Sequence, residues 1–100
     1  MPRGTLFRDD LEERLKDPKA AAHFIQAALE ENDPEFFTEA LSIVVKAWGV
    51  TDIAEQTGIA RQAIYQMVSA NGNPTIKNIM KILDQLGLAL TVKQKRASGE

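Results

Sequence analysis

Cysteine is absent from the sequence, and histidine occurs once, as His23. Without cysteine the chain can form no disulfide bond, no cysteine-ligated metal site and no thiolate nucleophile, and one imidazole offers little for acid–base chemistry. The apolar runs are only a few residues long, so no segment is expected to cross a membrane. No apolar stretch of the kind found in signal peptides follows residues 1–4, and we expect a cytoplasmic protein.

Patterns typical of catalysis are lacking as well. The sequence has no nucleophile at a recognisable spacing from a base, no cluster of metal-ligating residues and no glycine-rich phosphate loop. The carboxylates between residues 9 and 13 stand among basic residues, which is typical of a solvated segment. We therefore expect a protein that is not an enzyme and that has no metal site and no cofactor.

Charge is unevenly distributed along the 100 residues, although the formal net charge is only −2. Residues 1–50 contain six Lys or Arg and ten Asp or Glu, whereas residues 51–100 contain six and four. No acid lies between Glu55 and Asp84. A mildly acidic chain is not expected to coat nucleic acid through bulk charge, but its second half is modestly basic. The two halves therefore suit two different binding tasks.

Helix signals dominate the sequence, and we predict a single all-α domain of about five short helices. Asp17-Pro18 and Asp33-Pro34 each place a good N-cap before a proline at the first helical position, and Gly49 provides a stop. The resulting antiparallel hairpin occupies 17–49 and follows an N-terminal segment, 1–16, in which Leu11 and Leu15 are spaced for a helical turn or two. Helices are predicted over 18–31, 34–48, 51–57, 60–69 and 76–86, the last three within a region spanning 50–87.

The only predicted strand lies near the C-terminus. Residues 88–93 alternate between apolar and polar side chains, the pattern of a half-buried strand. Because a single strand is not stable alone, it requires a partner, either residues 4–8 or another chain. Residues 94–100 are predicted to form a flexible, mostly basic tail.

The spacing within residues 51–68 is that of a helix-turn-helix unit. The small side chain of Ala54 allows two helices to approach closely, and Gly58, four residues later, suits the positive φ of a tight interhelical turn. Ile64 then falls on the inner face of the second helix, together with Ile53, Ile59 and Met67.

The outward side chains of that second helix are suited to nucleic acid. Arg and Gln can form bidentate hydrogen bonds with guanine and adenine edges, and Tyr can contact a phosphate or stack. The candidate base-contacting residues are Arg61, Gln62, Tyr65 and Gln66. The candidate contacts to the DNA backbone are Thr51, Asn73, Thr75 and Lys77.

Residues 51–87 resemble the Cro/C1 (XRE) type of helix-turn-helix. More specifically, Asp52-Ile53-Ala54-Glu55-Gln56-Thr57-Gly58-Ile59 and Gly72-Asn73-Pro74-Thr75 resemble the addiction-module antidote family of HigA-like antitoxins. Upstream elements such as Leu15-Lys16-Asp17-Pro18 extend the resemblance to about 15–92. It implies an antitoxin that binds operator DNA as a homodimer, represses its own operon and neutralises a small basic toxin of the RelE/HigB type.

Two positions depart from this pattern. Ala60 stands where the family usually has a serine cap for the second helix, and a missing cap costs about 1 kcal/mol. Asp52 stands where Cro/C1 modules commonly carry a phosphate-binding glutamine. These departures, with the acidic first half, leave open a second reading: a protein-interaction module that binds a basic toxin and has lost specific DNA binding.

Overall fold

The computed structural model describes residues 10–95, which form six α-helices. A short α1 at 10–15 confirms the helical turn expected around Leu11 and Leu15. The three longest helices begin and end within one residue of their predicted bounds. The prediction of an all-α domain is therefore confirmed in its helices. The other helices are α2 Pro18–Glu30, α3 Pro34–Trp48, α4 Val50–Thr57, α5 Arg61–Met67 and α6 Ile76–Gln85.

Local capping fixes where the hairpin helices start and stop. The Asp33 carboxylate accepts hydrogen bonds from the backbone N–H groups of Glu35, at 3.0 Å, and Phe36, at 3.4 Å. Asp17 precedes Pro18 with extended backbone but forms no side-chain cap bond. Gly49 ends α3 with φ of +106° and also forms the N-cap of α4, so Thr51 lies inside α4 and not at its cap.

Helix α3 is the centre of the fold. It packs against α2 and against α4, and Leu41, Val44 and Val45 are completely buried. The apolar periodicity of residues 34–48 predicts that Thr38 and Ser42, opposite Leu41 and Val44, face solvent, and this prediction is wrong, since both are buried. Residues 68–70, which follow α5, line a concavity together with these two side chains and so lie next to a face that helical periodicity assigns to water.

The inward stripe of α6 also differs in part from the prediction. Ile79 and Leu83 are buried as expected, with Ile82 between them. The spacing of apolar residues in 76–86 also predicts Ile76 and Met80 on this face, but they are 62% and 55% exposed. Ile79, Ile82, Leu83 and Leu86 lie at positions i, i+3, i+4 and i+7 and together form the buried face of α6. Met80 lies beside this face, and Ile76 lies on the exposed first turn of the helix.

The predicted strand at 88–93 is not formed: this segment has no β-structure, and neither has any other part of 10–95. The Leu88 N–H donates to the Leu83 carbonyl at 2.8 Å, which closes α6. Leu88 and Leu90 then pack against the helical core while Ala89 and Thr91 face solvent. The alternation therefore arises from an extended segment lying on helices. The proposed pairing partner at 4–8 lies outside the described residues.

Helix α1 is attached to the end of α3 by one long-range hydrogen bond. The indole Nε1 of Trp48 donates to the backbone carbonyl of Leu15 at 2.6 Å. Leu15 is 2% exposed, so this carbonyl has little access to water. The bond satisfies one of the carbonyls that every helix leaves unpaired at its C-terminus.

We predict that Trp48→Phe lowers the free energy of unfolding by about 1–3 kcal/mol, because it leaves a buried carbonyl without a donor. Urea unfolding followed by circular dichroism measures the change. Phe36→Leu is the control, because the Phe36 side chain is 45% exposed and its replacement is expected to cost less than about 0.5 kcal/mol. Equal losses in the two variants would contradict a role for the indole hydrogen bond.

Gly72 marks a close approach of two backbone segments. A Cβ on this residue would overlap the carbonyl oxygen of Met67 and lie 2.5 Å from that of Gln66, at the end of α5. The Gly72 N–H also donates to the Ser69 carbonyl at 2.9 Å, which holds the loop in place. The connection between α5 and α6 therefore has no space for a side chain at this point.

We predict that Gly72→Ala destabilises the protein by about 3 kcal/mol, since the overlapping atoms are backbone and cannot move independently. Gly58→Ala is the matched control, because Gly58 has φ of +80° but no atom within 4 Å of an added Cβ. Its cost is only the left-handed strain of about 1 kcal/mol. Thermal unfolding distinguishes the two, and a larger loss for Gly58→Ala would refute the close-approach argument.

Candidate nucleic-acid interface

The turn between α4 and α5 is held by local hydrogen bonds. Gly58 adopts a left-handed conformation, with φ of +80°, and its N–H donates to the Ala54 carbonyl at 2.9 Å. This bond satisfies one of the last carbonyls of α4 and ends the helix. Residues 58–60 then lead directly into α5.

Thr57 is a turn residue that the sequence analysis missed. Its hydroxyl donates to the Ile53 carbonyl at 2.7 Å and accepts from the Ile59 N–H at 3.2 Å. One side chain thus links the last turn of α4 to the first residue after the glycine. A threonine directly before a helix-ending glycine is a usable signal for this arrangement, since Thr hydroxyls bond the carbonyl four residues earlier.

Buried isoleucines fix the position of α5 on the core. Ile53 of α4 is 1% exposed and Ile64 of α5 is fully buried, and Ile59 in the turn is also enclosed. Met67 is buried at the end of α5. Ala54 is half-buried on the same helix as Ile53. Because one side of α5 is anchored in this way, its opposite side must face solvent.

The solvent-facing side of α5 brings together the four candidate base-contacting residues. All four are exposed and, with Ser69, they line one wide, open concavity. They form two rows, since residues four apart are neighbours on a helix. Among residues 10–95 none of the four forms an ion pair, and the face contains no acid. We name this the α5 outer face: Arg61, Gln62, Tyr65 and Gln66.

The candidate backbone contacts lie at the starts of two other helices. Thr51 is exposed on the first turn of α4, whereas Asn73, Thr75 and Lys77 are exposed around the first turn of α6. The Thr75 hydroxyl accepts from the Asn78 N–H at 3.1 Å and so caps α6. None of these side chains lines the concavity of the α5 outer face. The structure thus places them beside the base-contacting set and not within it.

Two features of the site's surroundings weaken its attraction for an anion. Asp52 is exposed on the first turn of α4, one residue from Thr51. Glu35 and Glu39 border a concavity that includes Ser69, directly after α5. In addition, Ala60 occupies the N-cap of α5 and forms no side-chain cap bond. Of the four residues of the α5 outer face, only Arg61 carries a formal charge.

Residues 10–95 contain no group of three or more His, Cys, Asp or Glu side chains placed to hold a metal ion. No helix in this range combines the length and the apolar character needed to cross a bilayer.

Comparison with known proteins places the chain in a family. Residues 5–94 match the model of a family described as "Probable addiction module antidote protein". A Haemophilus influenzae protein described as "Uncharacterized protein" is 32% identical over 93 residues, an alignment that covers 84% of this chain and 96% of the relative. No solved structure matches the chain. Since the family match covers nearly the whole sequence, the chain belongs to the addiction-module antidote family, that is, to a family of antitoxins.

Proposed function

We propose that the protein is a cytoplasmic antitoxin that represses its own operon through the α5 outer face and neutralises a small basic toxin of the RelE/HigB type. Membership of the antidote family supports the antitoxin role and a regulatory, non-enzymatic activity. The observation that carries the DNA-binding part is the α5 outer face itself: exposed Arg, Gln and Tyr side chains with no acid among them, on a helix anchored from behind.

The dimensions of α5 suit the major groove. An α-helix with its side chains is about 10–12 Å in diameter, and the major groove, about 12 Å wide, admits such a helix. Arg61 can donate two hydrogen bonds to a guanine, and Gln62 or Gln66 can bond an adenine in the same way. The Tyr65 hydroxyl can reach a phosphate or a base edge. This assignment gives the helix a Cro/C1-like recognition role.

Backbone contacts would come from the flanking helix starts. Lys77 supplies a cation, and the Thr51, Asn73 and Thr75 side chains supply hydrogen-bond donors for phosphate oxygens. Such contacts orient the protein on the duplex without discriminating between bases. The two short rows of the α5 outer face, with two residues each, can contact only a few base pairs. We therefore propose a homodimer that occupies two half-sites about 34 Å apart.

We predict that the double variant Arg61→Ala/Gln62→Ala binds the protein's own operator at least about 100-fold more weakly, because each bidentate contact contributes about 1–3 kcal/mol. A gel-shift titration with the upstream region of its gene measures the affinity.

The control is Arg14→Ala/Gln26→Ala, which removes the same two residue types from exposed positions on α1 and α2. This control is expected to bind as the unaltered protein does. Unchanged operator affinity in Arg61→Ala/Gln62→Ala would exclude the α5 outer face as the DNA-binding surface.

A second candidate function is a toxin-binding module without specific DNA affinity. The exposed Asp52 carboxylate favours it, because an acid at the start of α4 repels phosphate. The uncapped start of α5 favours it too, since the first turn of this helix lacks a stabilising side chain. The two functions differ in whether operator DNA is bound above the non-specific level.

We predict that Asp52→Asn raises operator affinity by about fivefold, the effect of removing roughly 1 kcal/mol of repulsion near a phosphate. Glu13→Gln on α1 is the control and is expected to change nothing. Gel shifts at several salt concentrations measure both variants. Absence of specific binding by the unaltered protein and by Asp52→Asn would favour the second candidate function.

A further inference from the structure

An apolar surface that shares no residue with the α5 outer face has no role in the proposed DNA contact. Two open concavities meet at Leu29, whose side chain is 38% exposed. One of them is lined by Pro34 and the half-buried Phe37. The other runs along α2 to Leu88 and Leu90. We name these five residues the Leu29 surface.

The charge around the Leu29 surface is mostly negative. Residues 20–45 contain five carboxylates and no Lys or Arg. Glu30 and Glu31 follow Leu29 directly, and Asp33 lines the first concavity, and all three are exposed. An apolar centre with a charged rim is the usual anatomy of a protein–protein interface.

A cation is already bound at this rim within the chain itself. The Lys93 ammonium lies 3.1 Å from the Glu30 carboxylate, which also accepts a bond from Gln26 at 3.3 Å. The hydrogen bond from Lys93, and then that from Gln26, lowers the pKa of Glu30. Glu30 therefore already holds one ammonium group, and a partner's Lys or Arg would take the place of Lys93 there.

The sign of the charge distinguishes between possible occupants. A second copy related by a twofold axis would bring the same patch onto itself, and so place these carboxylates opposite one another. DNA would bring phosphates to the same carboxylates. A basic protein, by contrast, would make favourable apolar contacts at the centre and favourable charge contacts at the rim. Electrostatic complementarity therefore selects a cationic protein partner.

We propose that the Leu29 surface is the docking site for a basic protein that inserts an apolar side chain against Leu29 and Phe37 and places Lys or Arg against Glu30 and Glu31. This inference rests on the proposed antitoxin function and assigns the toxin-binding surface. The Leu29 surface shares no residue with the α5 outer face. Toxin and operator are consequently bound at separate places on the same chain.

The test uses the full chain and the purified protein encoded by the reading frame adjacent to its gene, with affinity measured by calorimetry. Glu30→Lys/Glu31→Lys reverses the rim charge at the end of α2, where cations suit the helix dipole. Leu29→Gln removes the apolar contact. We expect each to weaken partner binding at least about tenfold while operator affinity is retained.

The matched control is Asp10→Lys/Glu13→Lys, which makes the same charge change on exposed residues of α1, at the opposite end of α3. It is expected to leave partner affinity within about twofold. Equal weakening by the control, or full partner binding by both test variants, overturns the inference and leaves the antitoxin role standing. If the unaltered protein does not bind this partner, the proposed toxin neutralisation and the inference both fail.

Discussion

Burial of the wide inward side of α3 is the constraint on which the rest of the fold depends. Leu41, Val44 and Val45 have no exposed surface, and Thr38 and Ser42 are also buried, whereas Glu35, Glu39 and Lys46 face solvent. A helix with so wide an apolar side needs more than one neighbour, because that surface is otherwise left in water. Helix α2 covers one side, α4 another, and the loop after α5 borders a third. The helix-turn-helix unit is therefore positioned by a helix that takes no part in it.

This arrangement gives one small domain two surfaces of different character. The α5 outer face carries Arg61 and no acid, whereas carboxylates predominate around the apolar centre of the Leu29 surface, where Lys93 pairs with Glu30. A net charge of −2 describes neither of them. Since screening limits electrostatic interactions to about 10 Å at 0.1 M salt, each surface presents its own local charge to a partner. A domain of 100 residues can in this way attract an anion and a cation at once.

Local signals in the sequence predicted most of the fold, and the errors have a common physical origin. Asp33, Gly49, Gly58 and Thr75 act through their own backbone neighbourhood, so helix bounds could be placed without tertiary information. The exposed positions of α5 followed from periodicity alone. Periodicity could not show that a loop lies next to Thr38 and Ser42, or that residues 88–93 alternate because they lie on helices. The Leu29 surface was missed for the same reason, because Leu29 fits the inward stripe of α2 and only packing leaves it exposed.

The close approach at Gly72 has a further consequence for the geometry of recognition. The loop backbone at Gly72 rests against the last carbonyls of α5, with no side chain between them. The segment that leads into α6 is therefore packed directly against the end of α5. A methyl group added at Gly72 would push the two helices apart and so change the spacing between the α5 outer face and the exposed side chains at the start of α6.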